Sequence, residues 1–248
     1  KANYVLGGDM IEGSNAKNCI TNALADVNAT YIDATDVSTT NNYTLPRDPA
    51  NPNCLIYTTN SHLIGKNVIC NGKATGNITL TYGTDFYAPY DVDMNGNTVS
   101  YTANISDNLS TLVLPFSTTI PEATDLRVYT VYASIDEGTT YVEAHQMTPG
   151  TTLPANTPVL IRVPEGGSAS RSWTFEGTSI EATPFVMKNE GFVGTYTAQR
   201  APGSGSGYRT YNPYVKSDYD SYEWGTPELV PNRYVLQKVN GNFIFFIE

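Results

Sequence analysis

Apolar and polar residues alternate with a period of two along most of this chain, in short runs separated by turn formers. LRVYTVYASI, 126–135, is the strongest such run, and TYVEAHQM, 140–147, follows across DEGT. Together they predict a β-hairpin. CLIYTT (54–59), NVICNG (67–72), NITLTYG (77–83) and TPVLIRVP (157–164) add further strands, as do SWTFEGT, FVMKN, FVGTYTA, RYVLQKV and NFIFFIE. TLVLPF, 111–116, is interrupted by Pro115, which lacks a ladder donor and so predicts an edge strand or a bulge. Asn240-Gly241 between the last two runs predicts a closing hairpin.

Helical periodicity is confined to AKNCITNALADV, 16–27, where Ile20, Ala23, Leu24 and Val27 fall on one stripe. ATYIDATDV, 29–37, returns to strand alternation, and STTNNYTLPRDPANPN, 38–53, has the composition of a linker. The expected fold is all-β, with short antiparallel strands in β-sandwich-like units and at most one short helix near the N-terminus. A polar stretch at 104–110 suggests a division into a β-rich domain, 1–112, and a sandwich-like domain, 113–248.

Charge narrows the partners. The 248 residues carry a net charge of -10, and no Lys/Arg cluster offsets it. Such a chain repels phosphate backbones and anionic bilayers, so no nucleic acid is expected. No apolar run has the length of a membrane span, and no signal peptide heads the sequence, which reads as a mature or excised form. Charged residues make up only 15% while tyrosine occurs 18 times, a composition common among secreted β-proteins.

Candidate chemistry is sparse. Cys19, Cys54 and Cys70 have no metal-binding spacing and are expected to be buried thiols. His62 and His145 give neither a zinc pattern nor an evident triad. GSGSG, 203–207, lacks the lysine and flanking elements of a phosphate loop. DVDMNGN, 91–97, opens like a calcium loop, but the twelfth residue from Asp91 is Thr102 rather than Glu, and the flanks look extended. A hairpin turn at Asn95-Gly96 is the expectation, with no metal and no cofactor.

The segment 199–232 departs from the strand pattern. It is Gly-rich at its start and then carries Tyr208, Tyr211, Tyr214, Tyr219, Tyr222 and Trp224. A loop of this length is usually functional or disordered, and its aromatics argue against disorder. Tyr211, Tyr214, Asp218, Tyr219, Tyr222 and Trp224 are the candidate ligand-binding residues. Their rings offer rigid contact area, and the carboxylates of Asp218, Asp220 and Glu223 offer acceptors for sugar hydroxyls.

NPNCLIY (51–57), KNVICNG (66–72), ITLTYGTDFYAPYDV (78–92), VSYTA (99–103), STLVLPFS (110–117) and LPANTPVLIRV (153–163) follow one another along the chain. Their order resembles a β-rich, cell-adhesion-type module of large secreted and surface proteins of Bacteroidetes. FEGT, GFVGTYT and YVLQKVNGNF resemble its closing strands, so the likeness spans roughly 50–248. Residues 18–37 are similar to the leucine-rich-repeat-like stretch that precedes the module in some members. The long tyrosine segment departs from the pattern.

The resemblance implies a location outside the cell or on the outer-membrane surface, and adhesion or recognition of a glycan or surface protein. It supplies no catalytic residues. The alternatives are a purely structural spacer or cap, and a secreted glycoside hydrolase drawing two carboxylates from Glu137, Glu143, Asp218, Asp220 and Glu223.

Overall fold

A computed structural model describes residues 1–9, 14–81, 83–106, 110–122, 126–136, 139–163, 170–183, 187–189, 192–196, 208–211, 222–223, 233–237 and 243–247. Its topology is mostly all-β, with several short antiparallel and mixed sheets and, among the described residues, one short helix near the N-terminus. The chain divides into two compact units, residues 1–101 with 175–183, and residues 102–174 with 184–248.

The first unit opens with β1 (Tyr4–Asp9), α1 (Ser14–Ala25) and β2 (Tyr31–Ser38). β1 and β2 pair in parallel, and α1 lies on the connection between them. Ile20, Ala23 and Leu24 form the predicted apolar stripe and are fully buried. Val27 does not join them. The helix ends at Ala25, so Val27 falls beyond it and is 65% exposed.

After β3 (Tyr43–Thr44) come β4 (Leu55–Thr58), β5 (Leu63–Ile64), β6 (Val68–Cys70), β7 (Lys73–Ala74), β8 (Ile78–Leu80), β9 (Val92–Asp93) and β10 (Val99–Ser106). The parallel series continues from β2 to β4 to β6, which sets Ile32 beside Ile56 and Ile56 beside Val68. With Leu6, Ala34, Val37, Cys54 and the helix stripe, these side chains form the core of the unit.

Beyond β2 the connections between the parallel strands hold no helix, only the short strands β3 and β5, and asparagines brace them. Asn60 Nδ2 donates to the carbonyls of Val37 (3.4 Å) and Thr39 (3.1 Å), and its Oδ1 accepts from His62 N–H at 2.9 Å. Asn67, left-handed at φ 59°, donates to Pro52 O (2.8 Å) and Cys54 O (2.9 Å). The stretch 38–53 is therefore not a linker. β3 pairs with β5, and Leu45, Asn51 and Asn53 are buried. Its turn-forming composition reflects backbone polar groups satisfied by side chains.

The predicted turn at Asn95-Gly96 is present: both residues have positive φ, 52° and 81°, and Asn97 N–H donates to Met94 O at 2.9 Å. The hairpin is not. β9 pairs with β7 and with β18 (Ser179–Ile180), whereas β10 pairs with β8 in one three-stranded sheet that also holds β17 (Ser170–Gly177). Asn-Gly fixes the local reversal, but partners already flanking each strand decide the ladder.

In the second unit, β11 (Ser110–Leu112), β13 (Arg127–Asp136), β14 (Thr139–Gln146), β16 (Val159–Arg162) and β24 (Phe243–Ile247) form a sheet in the order β11-β16-β13-β14-β24. β13 and β14 form the predicted hairpin, in register from Tyr129↔Gln146 to Asp136↔Thr139. β11 occupies an edge and stops before Pro115, as the missing donor requires. β12 (Thr118–Thr119) pairs with β15 (Thr152–Leu153).

A second sheet runs β19 (Met187–Asn189), β20 (Phe192–Thr195), β23 (Arg233–Gln237), β21 (Tyr208–Tyr211) and β22 (Tyr222–Glu223). β23 thus has both edges filled, by β20 and β21, and β24 adds in parallel to β14. β23 and β24 fall in different sheets, and Asn240 and Gly241, where a hairpin is expected, lie outside the described residues. β21 and β22 also show that 199–232 is not loop throughout.

Candidate functional site

Of the predicted binding residues, Tyr211 and Tyr222 fall on strands and are direct antiparallel partners, beside Thr210↔Glu223. Tyr214, Asp218, Tyr219 and Trp224 lie outside the described residues, as do Asp220, Glu137 and GSGSG. Glu143 stands opposite Tyr132 in the β13–β14 hairpin.

A second tyrosine constellation, missed in the sequence, lies in the first unit. Along β2 and β4, Ile32, Ala34 and Ile56 face the core, so Tyr31, Asp33, Leu55 and Tyr57 belong to the opposite face. That face is not left open. The segment 84–91 contributes Phe86, Tyr87, Ala88 and Tyr90, and Leu55, Ile69, Phe86 and Ala88 are all buried. Tyr57 packs edge-on to Tyr31 at 5.2 Å and to Tyr90 at 6.0 Å, and Tyr87 tilts against Tyr31 at 6.3 Å. Such edge contacts suit the ring quadrupoles.

Two sets of hydrogen bonds hold the covering segment. At its start, Asn53 Nδ2 donates to Thr81 O and Thr84 O, both at 2.9 Å, while its Oδ1 accepts from Thr81 N–H at 2.6 Å. Asn51 Nδ2 reaches Ala29 O (2.9 Å) and Asp85 O (3.1 Å), and its Oδ1 accepts from Asn53 N–H at 2.9 Å. At its far end, Thr183 N–H donates to Ala88 O (2.9 Å), and Asp91 Oδ1 accepts from Ala182 N–H (2.7 Å). The NPN triplet at 51–53 was the available clue: two asparagines two residues apart, beside an apolar strand, can clamp a neighbouring loop.

Burial favours the neutral phenol at Tyr31 and Tyr57. Burial pushes the Tyr31 phenol up to about 12, and the Asp33 carboxylate and the Tyr90 and Tyr87 hydroxyls add to it. Burial also raises Tyr57, helped by the same neighbouring hydroxyls. Tyr57 Oη is buried and has no hydrogen-bond partner among the described residues, a state it shares with Asn67 Oδ1. Buried polar atoms are nearly always paired, so an orphan at an aromatic cluster marks the place for attention.

The remaining candidates have structural surroundings. Asp93 Oδ1 accepts from Asn95 N–H at 2.7 Å, so it caps the turn, as Asp91 caps Ala182. Among the described residues no group of three His, Cys, Asp or Glu converges on a metal-sized site. His62 Nδ1 lies 3.0 Å from Asn42 Oδ1. The cysteines are free thiols, but only Cys54 is buried; Cys19 is exposed and Cys70 intermediate. Cys19 belongs to the helix surface away from the Ile20 stripe, and Cys70 ends its strand. Burial raises the Cys54 thiol to about 12, so it serves as a small apolar side chain. Among the described residues no helix is long and apolar enough to cross a membrane.

No protein-family model, curated protein or solved structure matches this chain.

Proposed function

We propose that the chain is a noncatalytic recognition module, working outside a bacterial cell or on its outer surface, that adheres to glycans or protein surfaces through the tyrosine segment 208–224. One observation carries this reading. The pairing Tyr211↔Tyr222 brings together the two ends of the stretch that holds Tyr214, Asp218 and Tyr219. An antiparallel pair puts opposed Cα atoms about 5 Å apart. The pairing makes Tyr211 and Tyr222 neighbours, with the other candidates on the chain between them and just beyond. Tyrosine with a few carboxylates is the chemistry of an adaptable contact surface, and it suits the apolar C–H faces and hydroxyls of sugars.

The competing reading is a structural spacer. It has its own support, because β21 is built into a sheet between β23 and β22, where tyrosines can serve to pack the segment down. A glycan array probed with the whole chain and with Trp224→Ala and Tyr219→Ala separates the two. Recognition predicts binding to a restricted set of glycans, reduced at least tenfold by either change. No binding on glycan or bacterial-surface protein arrays, with both variants folded, favours the spacer.

A further inference from the structure

We propose that the cluster Tyr31, Tyr57, Tyr87 and Tyr90 in the first unit is a separate binding site for a neutral pyranose ring. The site is independent of the segment 208–224 and rests on different observations.

The first is the unpartnered hydroxyl. Tyr57 retains 6% of its surface, its Oη has no hydrogen-bond partner among the described residues, and three other tyrosines surround it. A phenol can donate one hydrogen bond and accept others, so the position is complete only when an oxygen-bearing group arrives. The second is the asymmetry of exposure. Tyr90 stacks edge-on to Tyr57 yet is 61% exposed, and no strand includes it. The bonds from Thr183 and to Asp91 hold the backbone on either side, while the Tyr90 side chain is held by a hydrogen bond to Tyr31 that a sugar hydroxyl can take over. Exposed side chains change rotamer in picoseconds to nanoseconds. Rotation of Tyr90 uncovers Tyr57 Oη and turns an aromatic face toward whatever enters.

The third observation is charge. Asp33 lies beside Tyr31, its Oδ1 accepting from Thr35 N–H (3.0 Å) and Thr35 Oγ1 (2.6 Å). An anion entering here meets a carboxylate, which disfavours phosphates and acidic sugars. A quaternary ammonium would suit the rings and Asp33, but it has no group to pair with Tyr57 Oη. A neutral pyranose meets all three conditions: an apolar C–H face for Tyr90, hydroxyls for Tyr57 Oη, and donors for Asp33.

The test is saturation-transfer NMR on the whole chain with methyl β-glucopyranoside, methyl β-galactopyranoside and methyl α-mannopyranoside, with tetramethylammonium as the cation probe. Transfer to at least one glycoside is expected. Tyr90→Ala should weaken it more than tenfold, and Tyr57→Phe, which keeps the ring and removes only the hydroxyl, about tenfold. Each change is also made in the Trp224→Ala background, which removes binding by the segment 208–224, and the same losses are expected there. The proposal is overturned if no glycoside receives transfer, if tetramethylammonium alone does, or if affinity survives both tyrosine changes. Affinity that falls with Trp224→Ala and not with Tyr90→Ala overturns this site while upholding recognition by the segment 208–224.

Discussion

Tyr57 and Tyr90 meet edge-on with ring centroids 6.0 Å apart and planes 78° apart, one ring in the interior and the other in solvent. The inner ring carries a hydroxyl that nothing satisfies. An unpaired buried polar group costs about 1–3 kcal/mol. Tyr57→Phe should therefore raise stability by about 1 kcal/mol, read as a higher urea midpoint at unchanged slope. A lower midpoint would mean that the hydroxyl already has a partner in solution. Stability given up at one side chain is common where that side chain serves binding.

Asn53 is the strongest of the clamps under the covering segment, with three bonds to Thr81 and Thr84. Asn53→Ala strands the Thr81 N–H and two carbonyls, and should cost about 3 kcal/mol in urea denaturation. Loss below about 1 kcal/mol would show that water replaces the side chain freely.

Alkaline pH tests the tyrosine face. Tyr31 titrates near 10 when unfolded and at about 12 when folded. The folded chain thus holds its proton more tightly. Its contribution to stability is complete below pH 10 and is lost as pH rises from 10 to 12. Urea midpoints should fall through that window, and fall less steeply in Tyr31→Phe. Equal slopes in the two proteins would remove Tyr31 as a cause.

Much of this fold was legible from alternation alone, and the limits are physical. The β13–β14 hairpin follows from two long alternating runs joined by a short connection, where local and tertiary preferences agree. The Asn95-Gly96 turn is equally local. Pairing partners are not: β9, β10, β23 and β24 each join strands distant in sequence, which no short-range pattern encodes. The parallel order β1-β2-β4-β6 was hidden for the same reason. Asn51 and Asn53 looked like solvent-facing turn residues because sequence shows polarity, whereas burial depends on whether carbonyls such as Thr81 O and Asp85 O arrive to meet them. The tyrosines of the first unit were passed over singly, since Tyr31, Tyr57, Tyr87 and Tyr90 gather only once β2, β4 and the covering segment are in place.

The turn 94–97 invites a calcium test. With Asp91 and Asp93 each capping a backbone N–H, neither carboxylate is preset as a ligand. Calorimetry with millimolar calcium should show no saturable heat, and Asp93→Asn should not alter that result. Gly96→Ala, at φ 81°, should cost about 1 kcal/mol through the left-handed backbone. Micromolar calcium binding lost on changing Asp91 and Asp93 would overturn the turn-only role.

The recognition surface at 208–224 is tested most directly by hydroxyl-radical footprinting of the whole chain, read residue by residue by mass spectrometry. Tyr90, exposed, and Tyr57, buried, provide internal standards in the same molecule. Recognition predicts that Tyr211, Tyr214, Tyr219, Tyr222 and Trp224 oxidise at rates near that of Tyr90, and that a bound glycan slows them together. Oxidation of most of the five as slow as Tyr57 would contradict the account, because tyrosines shielded to that degree pack a sheet and have no surface to offer.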